Sequence, residues 1–162
     1  MLVLSYPVDP TDAAQMTEMA KVARSLGVVL QKREIRSPND FAAAFDAGVE
    51  ARADALLSTS PSIFFTHRAQ VLEGVARNRW PAIFQWRAYA EAGGLLSYAH
   101  RLDDLSRRTA YYVDRILKGA KPGDLPVEQP TTFETIVNLK TARALGIALP
   151  PSTLLRADEV IE

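Results

Sequence analysis

The sequence predicts an α/β fold in which a doubly wound parallel sheet of about five strands is covered by helices on both faces. Two observations predict it. Short apolar segments alternate with longer amphipathic segments of helical period over residues 1–98, and this alternation is typical of a parallel sheet. Helix-start and helix-stop signals separate the segments, such as Ser-Pro-Asn-Asp at Ser37–Asp40 and the glycine at Gly27. The length of 162 residues fits one α/β domain that spans residues 1–162.

Each predicted strand is a short apolar run between two helical segments. The five runs lie near residues 2–5, 28–34, 54–58, 81–85 and 94–98. A further strand is predicted at Thr132–Val137, after a long interruption of the pattern.

Polar residues with a short side chain precede the helical segments and are predicted to cap the N-termini of the helices. The predicted caps are Thr11, Ser37, Ser60, Asp103 or Asp104, and Asn138.

The segment after Tyr98 has a different character from the repeated strand-helix unit. An apolar stripe that includes Leu105, Tyr112 and Ile116 predicts an amphipathic helix over Asp103–Lys118. Ala120–Pro130 contains three prolines and a glycine, which predicts an extended connector.

Charge and composition argue against several classes of function. Nineteen basic and nineteen acidic residues cancel, so no nucleic-acid partner is expected. The absence of cysteine excludes disulfides, thiol catalysis and thiolate metal sites. No Gly-x-Gly-x-x-Gly or Walker-type segment occurs, and His100 beside Asp103 and Asp104 is a weak metal-ligand set, so no cofactor and no metal are expected.

The first residues predict neither a secretory signal nor a membrane span. Met1–Pro7 has no basic region and only a very short apolar run, whereas a membrane span needs about 18 or more apolar residues. A chain with this start is expected to remain in the cytoplasm.

The candidate binding residues follow from the topology. In an open parallel sheet, ligands bind outside the carboxyl ends of the strands, and this rule selects the loops Ser5–Thr11, Ser58–Ser62, Gln85–Tyr89 and Ser97–His100. Six residues of these loops are predicted to bind a ligand: Tyr6, Thr59, Ser60, Gln85, Trp86 and Tyr98. Aromatic faces beside hydroxyls and an amide suit a neutral or zwitterionic organic solute with an apolar body.

Two further hypotheses for these loops are that they bind an anion and that they form the active site of an enzyme. The backbone amides of Ser60–Ser62, at a predicted helix start, could hold a carboxylate. Ser60 with His67 leaves an α/β hydrolase as an alternative function. No Gly-x-Ser-x-Gly elbow surrounds Ser60, so no catalytic residue is predicted.

Several segments, most of them in the last third of the chain, carry a family resemblance. They are Gly93–Tyr98, Ile116–Pro122, Pro126–Pro130, Asn138–Ala142 and Ala157–Ile161. Together they resemble the carboxyl-terminal portion of bacterial ABC-transporter substrate-binding proteins, a family that includes tryptophan- and tyrosine-binding members.

The resemblance implies a carrier, not an enzyme, that binds a small solute and delivers it to an ABC permease. It also implies a periplasmic or lipid-anchored location for full-length members and a type I periplasmic-binding-protein fold, in which two lobes close over the solute. Residues 1–98 look like the carboxyl lobe, and residues 99–130 look like an inter-lobe crossover helix and connector. A surface that normally faces the other lobe predicts self-association of this chain. A cytoplasmic module that senses a small molecule remains an alternative.

Overall fold

Seven strands and eight helices follow one another in the computed structural model, which describes residues 1–162. The strands are β1 (Leu2–Ser5), β2 (Gln31–Glu34), β3 (Leu56–Ser58), β4 (Ile83–Phe84), β5 (Leu96–His100), β6 (Phe133–Asn138) and β7 (Glu159–Ile161). The helices are α1 (Asp12–Ser25), α2 (Asp40–Glu50), α3 (Ser62–Thr66), α4 (Arg68–Asn78), α5 (Arg87–Glu91), α6 (Leu102–Leu117), α7 (Leu139–Leu145) and α8 (Pro151–Leu155). None of the helices is both long enough and apolar enough to cross a membrane.

The first five strands run parallel, as the sequence predicts. β1 pairs with β2 on one side and with β3 on the other, and β4 pairs with β5. A parallel bridge between Leu56 and Ala82 joins the two groups, so the order is β2-β1-β3-β4-β5. The direction of winding reverses between β1 and β3, and the carboxyl ends of these two strands flank that switch point.

The sheet continues beyond the five parallel strands, and it is mixed. β6 confirms the further strand that the sequence predicts at Thr132–Val137. β6 runs antiparallel to β5, with His100 opposite Phe133, and β7 runs parallel to β6. The reason is the path between β5 and β6: the chain leaves through α6 and returns where β5 ends, with the Arg101 amide 3.4 Å from the Thr132 carbonyl. β6 therefore starts beside the end of β5 and must run in the opposite direction.

Among the predicted caps, Asn138 is confirmed, because its side chain accepts the Thr141 amide at 2.9 Å. The Thr11 hydroxyl does not cap α1; it donates to Asp9 Oδ1 at 2.6 Å. Ser37 does not cap with its side chain either: the Asp40 carboxylate accepts the Ser37 amide at 2.8 Å, and α2 starts at Asp40. In these last two cases a nearby carboxylate is the stronger acceptor and takes the local donor.

The caps predicted at Ser60 and at Asp103 or Asp104 are also wrong. Pro61 precedes α3 in an extended conformation, which moves the helix start to Ser62. α6 already starts at Leu102, so Asp103 and Asp104 lie in its first turn. Carboxylates in that position interact favourably with the helix dipole.

The core lies where the parallel strands meet α2 and α4. Phe84 and Tyr89 stack with ring centroids 4.2 Å apart, and Phe45 stacks on Trp80 at 5.9 Å. A helix glycine permits this packing, because a Cβ on Gly74 would lie 2.2 Å from Cζ of Phe45.

We expect Gly74→Ala to destabilise the protein by about 1 kcal/mol. Forcing the buried Phe45 ring aside costs about 1–3 kcal/mol, which offsets the roughly 1 kcal/mol gained in helix propensity. Urea unfolding measures the change. Gly123→Ala is the control, since a Cβ there meets nothing within 4 Å, and equal stabilities of the two variants would contradict the prediction.

Candidate functional site

A buried carboxylate joins the carboxyl ends of β1 and β3 at the switch point. Asp12, the first residue of α1, is 3% exposed. Its carboxylate accepts the Ser5 hydroxyl at 2.6 Å, the Tyr6 amide at 2.8 Å and the Thr59 hydroxyl at 2.8 Å. We call this arrangement the Asp12 lock. It sets the relative position of the loops that follow β1 and β3.

The hydrogen bonds keep Asp12 ionised. Burial raises the pKa of this carboxyl, but the hydrogen bonds from Ser5, Thr59 and the Tyr6 amide outweigh burial and hold the pKa below its ordinary value. Asp12 was not among the predicted binding residues. Its one sequence signal is an acid in the first turn of the helix that follows the first strand.

Two glutamines extend the connections along the same edge. Gln15 of α1 accepts the Ser60 amide with Oε1 at 2.9 Å, so this amide is engaged within the protein. Gln85 donates from Nε2 to the Ser58 carbonyl at 2.7 Å and links the end of β4 to the end of β3. The carboxyl ends of β1, β3 and β4 are therefore held together by side chains.

Trp86 follows β4 and precedes α5. Its ring makes an edge contact with Phe65 of α3 at a centroid distance of 5.6 Å. A pocket of about 300 Å³ lies beside Trp86, between the start of α5 and the start of α6, and Ala99, His100 and Arg101 also line it. That volume is at the lower end of the range of small-molecule sites.

The six predicted residues do not converge on one point. Tyr6, Thr59, Ser60 and Gln85 lie around the Asp12 lock and its glutamine links. Thr59 is fully buried and its hydroxyl is used by Asp12. Tyr98 is 49% exposed and stacks on Phe133 of β6 at 5.1 Å. The contacts of these residues with a solute remain predictions.

Arg87, at the start of α5, is surrounded by acids. Its guanidinium lies 2.7 Å from Glu91, 2.6 Å from Glu159 and 3.6 Å from Glu134. The hydrogen bonds with Glu91 and Glu159 raise the pKa of Arg87. This cation therefore ties α5 to β6 and β7 and is not available to a ligand.

The alternative pair Ser60 and His67 shows no catalytic arrangement. No hydrogen bond joins the two side chains, and the His67 ring packs 6.1 Å from that of Phe41. His67 lies at the break between α3 and α4.

The buried Tyr89 lies under Phe65. Its hydroxyl donates to the Phe64 carbonyl at 2.5 Å, and its ring centroid is 6.4 Å from that of Phe65. Burial raises the pKa of Tyr89, and the positive charge of Arg68 acts in the opposite direction. Neither Phe65 nor Arg68 was among the predicted binding residues.

The same fold occurs in solved structures of other proteins. The ABC domain of Streptococcus pneumoniae in complex with L-Trp is 27% identical, with a TM-score of 0.89, and the alignment covers 99% of this chain and 54% of that chain. A conserved domain protein of Vibrio cholerae is 24% identical, with a TM-score of 0.87 and coverages of 98% and 53%. The ligand-free, open form of a substrate binding protein with adhesive properties from Clostridium difficile is 19% identical, with a TM-score of 0.69 and coverages of 99% and 53%.

The fold and these likenesses define a periplasmic-binding-protein-like α/β protein. The chain spans about half the length of the solved proteins that it matches. A sequence profile described as "ABC transporter substrate binding protein" matches residues 3–161, and the chain therefore belongs to that family. Members of the family bind solutes outside the cytoplasm and in general are not enzymes. A search of curated proteins returned no significant match.

We expect Asp12→Asn to destabilise the protein by about 2–3 kcal/mol at pH 7. The amide is uncharged and offers one acceptor oxygen in place of two, so one buried hydroxyl loses its acceptor and the other donors lose a charged partner. Hydrogen bonds to charged groups contribute about 1.5–3 kcal/mol. Urea unfolding checks the value. Asp46→Asn is the control because the Asp46 side chain is 72% exposed.

A comparison of the wild type with Asp12→Asn also tests the pKa of the Asp12 carboxyl. A folded-state pKa below the unfolded value of about 3.9 means that the carboxylate stabilises the fold above that pH, and that this contribution is lost as the pH falls through the folded pKa. The stability of the wild type should therefore fall more steeply below about pH 4 than that of Asp12→Asn. Parallel pH profiles would contradict a depressed pKa at Asp12.

Proposed function

We propose that this chain forms one wall of a solute-binding cleft in an ABC import system. The observation that supports the proposal most is the row of aromatic and polar groups at the carboxyl ends of β1, β3, β4 and β5. The Asp12 lock keeps the first loops of this row in place. Trp86 supplies an aromatic edge beside a pocket of about 300 Å³.

The proposed solute is a small organic molecule with an aromatic ring, such as an aromatic amino acid. Aromatic rings pack favourably edge-to-face, with centroids 4.5–7 Å apart, and the Phe65–Trp86 pair presents such a surface. The structure in complex with L-Trp, 27% identical to this chain, supports this choice of solute.

The proposed partners follow from the family. An ABC permease would receive the solute outside the cytoplasmic membrane, and a second lobe would supply the opposite wall of the cleft. We propose that residues 99–130 cross between the lobes. α6 supports this assignment, because none of its sixteen residues is buried against the sheet. Permease and ATPase genes beside this gene would support import, whereas a regulatory neighbourhood would favour a sensing module.

α6 also supports a proposal of self-association. Its open face carries large apolar residues at the two ends, Leu102 and Leu117, and small residues in the middle, Ser106, Thr109 and Ala110. Two such helices packed antiparallel about a two-fold axis place the large residues of one against those of the other. The small residues at the centre allow close approach.

Trp86→Ala should weaken solute binding by about 2 kcal/mol or more in a two-lobed protein that contains this lobe, the usual loss for a buried aromatic anchor. Calorimetry with L-tryptophan and L-tyrosine measures the loss. Tyr111→Ala is the control, since Tyr111 is an exposed aromatic residue of α6. An affinity unchanged by Trp86→Ala would move the site elsewhere.

The 162-residue chain should be a dimer at micromolar concentration, as measured by light scattering. Leu117→Asp should shift it to a monomer, because Leu117 is 82% exposed and a charge there would be buried in the dimer. Leu155→Asp is the control: Leu155 is 87% exposed on α8 and should leave the dimer intact. A monomeric wild-type chain would refute the proposal.

A further inference from the structure

Arg68 stands at the end of a row of rings that starts at Trp86. Its guanidinium carbon lies 5.3 Å from the centroid of the Phe65 ring. Phe65 in turn contacts Trp86 at 5.6 Å. Phe65 is 37% exposed and Arg68 is exposed as well, so both are accessible from the solvent at the edge of the sheet.

Arg68 is available to a ligand, unlike the charges of Asp12 and Arg87. The carboxylate of Asp12 is buried with three donors, and Arg87 is paired with three acids. No acid lies within ion-pair distance of Arg68, and its one hydrogen bond is a long contact of 3.4 Å to the Phe65 carbonyl. Arg101 and Asp103 line the pocket beside Trp86, which Arg68 does not line. Neither of them is in an ion pair, but Arg68 alone of the three stacks on a ring of the Phe65–Trp86 pair.

The stacked position prepares Arg68 to bind an anion. A guanidinium over a ring uses its face for the cation–π contact and keeps its planar edge of N–H donors free. That edge matches a carboxylate, which it can bind through two parallel hydrogen bonds. Because the ring already restrains the side chain, little rotamer freedom is lost on binding.

We propose that Arg68 is a specificity-determining residue that binds a carboxylate of the solute, while the apolar body of the solute packs on the Phe65–Trp86 pair. The solute class is then an aromatic or other apolar carboxylate. This inference rests on the proposed solute site and adds the sign of the charge that the site selects.

The test uses the ¹⁵N-labelled chain and two probes of similar shape and opposite charge, 3-indolepropionate and tryptamine, at constant ionic strength. The indole N–H signal of Trp86 reports binding by NMR. Trp80, which is 6% exposed in the core, is the internal reference. The variants are Arg68→Gln, Arg68→Lys and the control Arg143→Gln, whose exposed arginine on α7 also lacks an ion pair.

We expect 3-indolepropionate to shift the Trp86 signal at lower concentration than tryptamine does. Arg68→Gln should weaken binding of the anion roughly fivefold or more, while Arg143→Gln should change it less than twofold. Arg68→Lys should fall between wild type and Arg68→Gln, because it keeps the charge and loses the planar donors. Thermal unfolding of each variant should match that of the wild type.

Equal effects of Arg68→Gln and Arg143→Gln, or tryptamine binding as tightly as the anion, would overturn the role of Arg68 and leave the proposed solute site standing. If neither probe moves the Trp86 signal, the solute site itself is wrong, and the role of Arg68 falls with it.

Discussion

The carboxylate of Asp12 accepts hydrogen bonds from Ser5, Tyr6 and Thr59, at the point where the winding of the sheet reverses. A crevice forms at such a point because the connections leave in opposite directions, so no helix covers the strand ends there. The backbone ladder between β1 and β3 ends where the Thr59 amide donates to the Leu4 carbonyl at 3.0 Å, and the loops continue beyond it. A buried anion with donors from both sides restrains these loops, because a buried charge is tolerated only where its partners stay in place.

At the carboxyl ends of the strands, the charges of Asp12 and Arg87 are bound by other groups of the protein. The neutral groups that remain, together with the ring row from Trp86 to Phe65, present a surface that can bind an apolar body without first breaking an internal ion pair. Arg68 differs from these charges, since its guanidinium is stacked on a ring and has no carboxylate partner. Paired charges therefore hold the scaffold, and an unpaired charge such as that of Arg68 can contact a ligand without first breaking an ion pair.

α6 and its connector form a unit of their own beside the sheet. Arg108 lies over the rings of Tyr111 and Tyr112 and pairs with Glu128 of the connector, while the Tyr112 hydroxyl donates to the Pro126 carbonyl at 2.7 Å. These contacts hold α6 to the connector, and they leave its opposite apolar face uncovered.

The sequence by itself determined the five parallel strands, the Asn138 cap and the placement of Trp86 after a strand, because apolar period and capping chemistry are local properties of the chain. Only the tertiary structure decided the direction of β6, the break at His67 and the role of Asp12. The Thr59 hydroxyl reaches Asp12 across 47 residues, and no local pattern encodes such a partner. Likewise, Arg68 looks like any solvated arginine until the fold brings Phe65 against Trp86. The direction of a strand and the partners of a buried side chain depend on residues far apart in the sequence, so they are fixed only when the chain packs.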